Sequence, residues 1–311
     1  MAGLKEIKGR LHSVRNTKKI TYAMKLVSAA KLKKAQEAVG RSRLYTSALK
    51  KLLGELLGEL GTTNISQLGV SHPLMDTRAE VKNVRLLVVG GSRGLCGGYN
   101  SGINKRVEAL IREKGDEYKN ASFDAVLVGR KPAEYYRRTR RTFTKSFEDL
   151  VDDPTMWPAD EIFGIVEKDF IEGRVDEVIL VYTQFKSAIS MTVMAEKLLP
   201  MDIDSVLSGV TMTQHKNTQN QSQAATGVTL FEPSINDVWQ SIVPRLMRSR
   251  IRQAFLDAKA SEHGSRMTAM DSATKNSGDI IKSLQLTYNK LRQGRITSEL
   301  LDIIGGAEAL K

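Results

Sequence analysis

The 311 residues are 41% hydrophobic, 6% aromatic and 26% charged, a balance richer in long polar side chains than a compact enzyme carries; it reads as a globular domain joined to extended helix. A single cysteine, Cys96, excludes an internal disulfide framework and a cysteine zinc cluster, and His12, His72, His215 and His263 lie far apart without metal-ligand spacing, so each reads as a surface histidine. No run of about 18 apolar residues spans a bilayer, and no signal-peptide core leads the chain, which points to a reducing cytoplasm and docking on a membrane assembly at most.

The chain opens on a strongly basic segment. Residues 1–51 hold 14 Lys and Arg against Glu6 and Glu37, while the rest holds 33 of each sign, so the whole net charge of +12 lies at the start. Such an arm suits either the phosphates of a nucleic acid or acidic protein surfaces. Leu4, Ile7, Leu11 and Val14 form one coiled-coil stripe, and Ile20, Met24 and Val27 form a second. The two fall out of phase across Arg15 to Lys19, which predicts a local change of supercoil. No proline precedes Pro73, so one helix from about Leu4 to Leu60 is allowed, weakened at its far end by Gly40, Gly54, Gly58 and Gly61. About 50 residues at 1.5 Å each reach roughly 75 Å, longer than an ordinary domain.

The middle of the chain changes character. VRLLVVG (84–90), FDAVLVG (123–129) and VDEVILVYTQF (175–185) are strand-like runs, separated by helical stretches near Ile103 to Lys114 and Ala159 to Glu172. That alternation predicts an α/β domain with a largely parallel sheet, completed by strands near Ser190 to Met194 and Val228 to Phe231. The polar segment TMTQHKNTQNQSQAATG between them reads as a mobile loop. The turn GGSRGLCGGYN (90–100) leaves the first strand with glycines at 90, 91, 94, 97 and 98. Neither G-x-G-x-x-G nor G-x-x-x-x-G-K-[ST] is satisfied, because Ile103 stands where the second motif needs lysine. The turn therefore reads as tight packing, and no nucleotide or other cofactor is expected.

From Ser234 to Ile304 the only proline is Pro244, and a broken apolar stripe includes Val238, Ile242, Leu246, Phe255, Met267, Met270, Ile281, Leu284, Tyr288 and Leu291. This is one long helix or two in line. Gly264, Gly278 and Gly294 interrupt it, through close approach of a neighbour, bending, or mere tolerance. The fold class is thus α/β: a long antiparallel coiled coil of N- and C-terminal helices with an inserted Rossmann-like α/β domain. The expected units are 1–60, 80–232 and 233–311.

Three stretches carry a family resemblance: RGLCGGYN (93–100), KITYAMKLVSAAKL (19–32) and SRMTAMDSATKNSGDIIKSLQLTYNKLRQGRITSELLDIIGGAEAL (265–310). Together they closely resemble the gamma subunit of F-type ATP synthases. The resemblance implies a non-catalytic central-stalk rotor that couples ion-driven rotation of a membrane c ring to conformational change at catalytic beta subunits. Its implied partners are the alpha and beta subunits, the epsilon subunit and the c-subunit ring. The implied location is peripheral, on the cytoplasmic side of a bacterial cell inner membrane.

The same resemblance assigns roles to particular residues. Arg292 and Gln293 match the pair that hydrogen-bonds a beta catch loop, and Thr297 and Glu299 match neighbouring coupling positions. Met24 and Lys25 would meet acidic beta loops, with Arg266 facing the same region. Ile296, Leu300, Leu301, Ile303, Ile304 and Leu310 would form an apolar bearing tip. A basic nucleic-acid-binding coiled coil is the alternative reading of the charge.

Overall fold

The computed structural model describes residues 2–59, 72–119, 121–202 and 234–308. The proline-free N-terminal segment is one helix, α1 (Ala2–Glu59), and the C-terminal segment is one helix, α5 (Ile235–Glu308), with Pro244 inside it. Pro244 lies within three turns of the helix start, where the loss of one amide hydrogen bond is tolerated. Ser234 starts α5: its Oγ accepts from the Asp237 amide at 3.1 Å and donates to the Asp237 carboxylate at 2.6 Å. At 1.5 Å per residue α5 is roughly 110 Å long and α1 roughly 87 Å.

Between them lie β1 (Asn83–Val89), α2 (Tyr99–Glu117), β2 (Ser122–Val128), α3 (Arg130–Thr139), β3 (Lys145–Phe147), α4 (Ala159–Ile171), β4 (Glu177–Phe185) and β5 (Met191–Leu199). The sheet order is β3-β2-β1-β4-β5, parallel except for the antiparallel β4–β5 hairpin. The edge strand β3, three residues long, and the ten-residue helix α3 are not among the elements expected from the sequence. The expected strand near Val228 to Phe231 and the loop at 211–227 lie outside the described residues.

Alternation along β1 and β4 divides the core. Val84, Leu86 and Val88 meet Ile103, Val107 and Tyr136 from α2 and α3 on one face. Leu87, Val89, Leu180 and Tyr182 face the other way, onto α4, α5 and the lower end of α1, including Phe163, Phe170, Leu246, Phe255, Leu49 and Leu53. Both terminal helices are therefore built into the foot's own core.

Above the foot, α1 and α5 pair antiparallel. Thr21 bonds Thr274 at 2.8 Å and Lys25 meets Asp271 at 2.7 Å, which sets the register. The seam corrects the expectation of two stripes out of phase. Contacting positions on α1 run on as Leu11, Val14, Lys18, Thr21, Lys25, Ser28, Leu32, Ala35 and Val39, steps of three and four throughout. What changes near Lys18 is chemistry, not register: Thr21 and Ser28 are buried, whereas Ile20 and Val27 point outward, 60% and 56% exposed. The apolar residues at 20 and 27 belong to the outer face, and Met24 is half-buried beside the seam.

The interrupting glycines divide as well. A Cβ on Gly264 would sit 2.5 Å from Met191 Cε and 3.7 Å from Ala188 Cα, so a side chain there would displace the Met191 methyl of the β4–β5 hairpin. At Gly278 the nearest group is the Lys18 ammonium, 3.4 Å away, and Gly294 has open space around it.

Candidate functional site

The glycine-rich turn lies at the carboxyl end of β1 and beside β4, where the strand order changes direction. Doubly wound sheets bind their ligands in the crevice at this point. Here α5 occupies it. Tyr99 donates to the Ala258 carbonyl at 3.0 Å, Ser265 to the Cys96 carbonyl at 2.6 Å, and Arg266 Nε to the Gly94 carbonyl at 3.3 Å. Gly90 and Gly129 serve close approach: a Cβ on Gly90 would lie 2.5 Å from Pro132, and one on Gly129, at φ +104°, 2.5 Å from the Gly90 carbonyl. Close packing on α3 thus accounts for Gly90 and a positive φ of 55° for Gly97, whereas a Cβ on Gly94 would meet nothing within 4 Å.

Beside the turn, at the shoulder where shaft meets foot, α5 presents Lys259, Glu262, His263 and Arg266, all buried. Arg266 pairs with Glu262 and approaches His263 Nδ1 at 3.3 Å. Lys259 lies 3.4 Å from Glu262 and 3.2 Å from Asp152, and the same Asp152 carboxylate accepts from Lys31 of α1 at 2.6 Å. Burial opposes the charge of Asp152, yet Lys31 and Lys259 outweigh it and hold the carboxyl well below the usual range. Burial, reinforced by Lys259 and Arg266, pushes His263 down to about 4. Lys34 adds a contact to Asp153 at 3.4 Å, so one loop from the foot grips α1 at successive turns.

Two histidines correct the expectation of surface positions. His263 is enclosed by this cluster, and His72 is buried because its Nδ1 accepts from the Leu74 amide at 3.1 Å, capping the 3-10 turn Pro73–Met75. His12 is exposed, and His215 lies outside the described residues.

The residues singled out from the sequence fall into two groups. Met24 and Arg266 line one groove of about 370 Å³ at the shoulder, opposite Leu95. Arg266 is its floor, held by Glu262 and Gly94, and Lys25 is engaged by Asp271. Lys25 and Lys275 together hold Asp271 down to about 2. The second group begins 26 residues further along α5, roughly 40 Å away. Arg292, Gln293, Thr297 and Glu299 are exposed there; among the described residues Thr297 bonds only back to the Gln293 carbonyl, and Glu299 pairs with Arg295 at 2.7 Å. Ile296, Leu300, Leu301, Ile303 and Ile304 are exposed as well, and Leu310 lies outside the described residues. By the observed register, Ala2 falls opposite about residue 294, so α5 stands unpaired for roughly its last 22 Å.

The Asp152–Lys259–Glu262–His263 cluster escaped the sequence reading. Its signal was there in part: Lys259, Glu262 and Arg266 have the i, i+3, i+7 spacing that puts them together on one face of a helix. Nothing local marks Asp152 as their partner, because the contact closes across more than a hundred residues.

A two-helix shaft rooted in an α/β foot, whose ligand crevice is filled by its own helix, defines a class of stalk-like structural subunit. The family model described as ATP synthase matches residues 3–310. The chain is 40% identical over 311 residues to an ATP synthase gamma chain of Bdellovibrio bacteriovorus, and 39% identical over 311 residues to one of Moorella thermoacetica, covering 100% of each chain in both cases. Among solved structures, its fold is similar to a chain of the Euglena gracilis mitochondrial ATP synthase rotor, with TM-score 0.59, 15% identity, 94% of this chain and 98% of that one. A chain of the Tetrahymena thermophila mitochondrial ATP synthase central stalk and c ring gives TM-score 0.54 at 23% identity, over 82% and 99%.

The chain belongs to the ATP synthase gamma chain family. It is a non-catalytic subunit of that membrane-associated complex, and among its described residues no helix is long and apolar enough to cross a membrane.

Proposed function

We propose that this chain is the central rotor of a bacterial ion-translocating ATP synthase, turning with a membrane c ring and imposing its asymmetry on three beta subunits in succession. The observation that carries the reading is the unpaired end of α5. Five large aliphatic side chains stand in solvent there, on a helix that no other part of the described chain covers. An apolar sleeve supplied by the alpha and beta subunits is the environment that suits them. A shaft with different side chains on each face couples three otherwise equal sites through one shared part.

Arg292 and Gln293 are exposed just below this tip, free to hydrogen-bond a beta loop, and Thr297 and Glu299 follow on the next turns. Met24 and Lys25 at the waist would pass acidic beta loops, where screened ion pairs hold weakly and release easily. Arg266 acts from beneath, by supporting the groove that Met24 lines. The foot would seat on the c ring and the epsilon subunit, at the cytoplasmic face of the inner membrane. The relatives do not favour the nucleic-acid reading, and Lys25, Lys31, Lys34 and Arg43 of the basic arm already meet carboxylates within the chain.

The test replaces Arg292 and Gln293 together by alanine in the assembled membrane complex. Coupled ATP synthesis should fall about tenfold, the effect of one lost charge-assisted hydrogen bond in a rate-limiting state. Unchanged synthesis with normal assembly would remove the catch-loop assignment.

A further inference from the structure

A second cavity, of about 270 Å³, opens at the shoulder on the other side of the Lys31–Asp152 contact, between α1, the loop at 152–155 and α5. Four cationic groups line it, Lys31, Lys34, Arg41 and Lys259, against the carboxylates of Asp152 and Asp153. Its field is therefore positive. The two carboxylates are already engaged by Lys31, Lys34 and Lys259. Each ammonium has three N–H donors, so Lys31, Lys34 and Lys259 keep donating capacity after these contacts. Arg41 makes no ion pair among the described residues.

His263 adds a directed donor. Its side chain is 5% exposed and lines the same cavity. Nδ1 lies 3.3 Å from the Arg266 guanidinium, which can only donate, so Nδ1 accepts and the ring proton sits on Nε2. Nε2–H has no partner among the described residues. Nε2 is not among the enclosed polar atoms that lack a partner, so it is open to the cavity, where the surrounding positive charge favours an acceptor that carries negative charge.

We propose that this crevice binds one small oxyanion of the phosphate class, held by Arg41 from α1 and by His263 Nε2–H and Lys259 from α5. The holding groups come from α1 and α5, so the bound anion ties the two helices of the shaft together beside the foot loop at 152–155. This proposal does not depend on the contacts assigned to Arg292 and Gln293 and fails separately from them.

The experiment titrates inorganic phosphate into the purified full chain by calorimetry, against sodium chloride at matched ionic strength. Saturable binding of one anion per chain is expected, with no equivalent effect of chloride. Arg41→Ala, an exposed position outside the core, should keep the helical spectrum and weaken phosphate about tenfold. Arg15→Ala, further along the same helix, should leave the affinity unchanged. Absence of saturable binding, an unaltered affinity in Arg41→Ala, or an equal loss in Arg15→Ala would each overturn the site, the last by reducing it to diffuse attraction along a basic helix.

Discussion

Near the foot, Leu32, Ala35 and Val39 of α1 meet Leu256 and Ala260 of α5, and Leu49 and Leu53 continue into the main core. Towards the tip the same heptad positions are Lys18, Thr21, Lys25 and Ser28, facing Gly278, Thr274 and Asp271. Separating the lower pair exposes apolar area at roughly 25 cal/mol per Å². Separating the upper pair exchanges hydrogen bonds and ion pairs for water, at little net cost each. The stability of the shaft thus resides at its root, while its upper part keeps register and leaves Ile20, Tyr22, Leu26 and Val27 on the outside.

The largest expected break in this contrast is at the root. Phe255 is fully buried with its ring 5.3 Å from that of Trp157. Phe255→Ala should destabilise the full chain by about 3–5 kcal/mol in a denaturant titration. A loss below about 1 kcal/mol would mean that the lower shaft is not the stabilising region.

The shoulder should respond to acid at an intermediate level. His263 titrates near 6.5 when unfolded and about 4 when folded, so between these values the unfolded chain binds more protons. Its contribution is complete above pH 6.5 and is lost as pH falls towards 4, on the order of 1–3 kcal/mol. His263→Gln should flatten stability across that window. An unchanged slope in the variant would assign the acid sensitivity to other groups.

The smallest effect distinguishes the two seams directly. Val39→Thr places a hydroxyl in the apolar seam and should cost about 1 kcal/mol. Replacing Thr21 and Thr274 together by valine removes both partners of one hydrogen bond, and should be neutral or stabilising by up to about 1 kcal/mol. Equal losses in thermal melts of the two variants would erase the proposed difference between root and upper shaft.

Much of the fold was legible from local signals. The proline-free ends, the valine- and leucine-rich runs ending in glycine, and the helices between them all depend on short-range periodicity, and their bounds differ from the observed ones by a few residues. The missed parts, α3 and β3, are short: RKPAEYYRRT spans ten residues and turns Pro132, Ala133 and Tyr136 inward among many charges, and KSF is three residues long. For the candidate site the sequence offered residues only through the family pattern, at the tip and around Met24, Lys25 and Arg266, and the partner of Lys259 at Asp152 carries no such pattern.

The amino-acid sequence by itself determined that two long helices flank an α/β insert, because helix and strand periods are written in consecutive residues. Tertiary structure alone decided which face of each helix turns inward. Thr21 and Ser28 are buried while Ile20 and Val27 are not, since the seam must stay in phase with Leu11 below the tip and Val39 above the foot. It also decided that Arg266 and His263 lie under the turn, and that α5 fills the crevice where a ligand of a doubly wound sheet would sit. Such contacts join residues more than a hundred positions apart, and no local pattern encodes them.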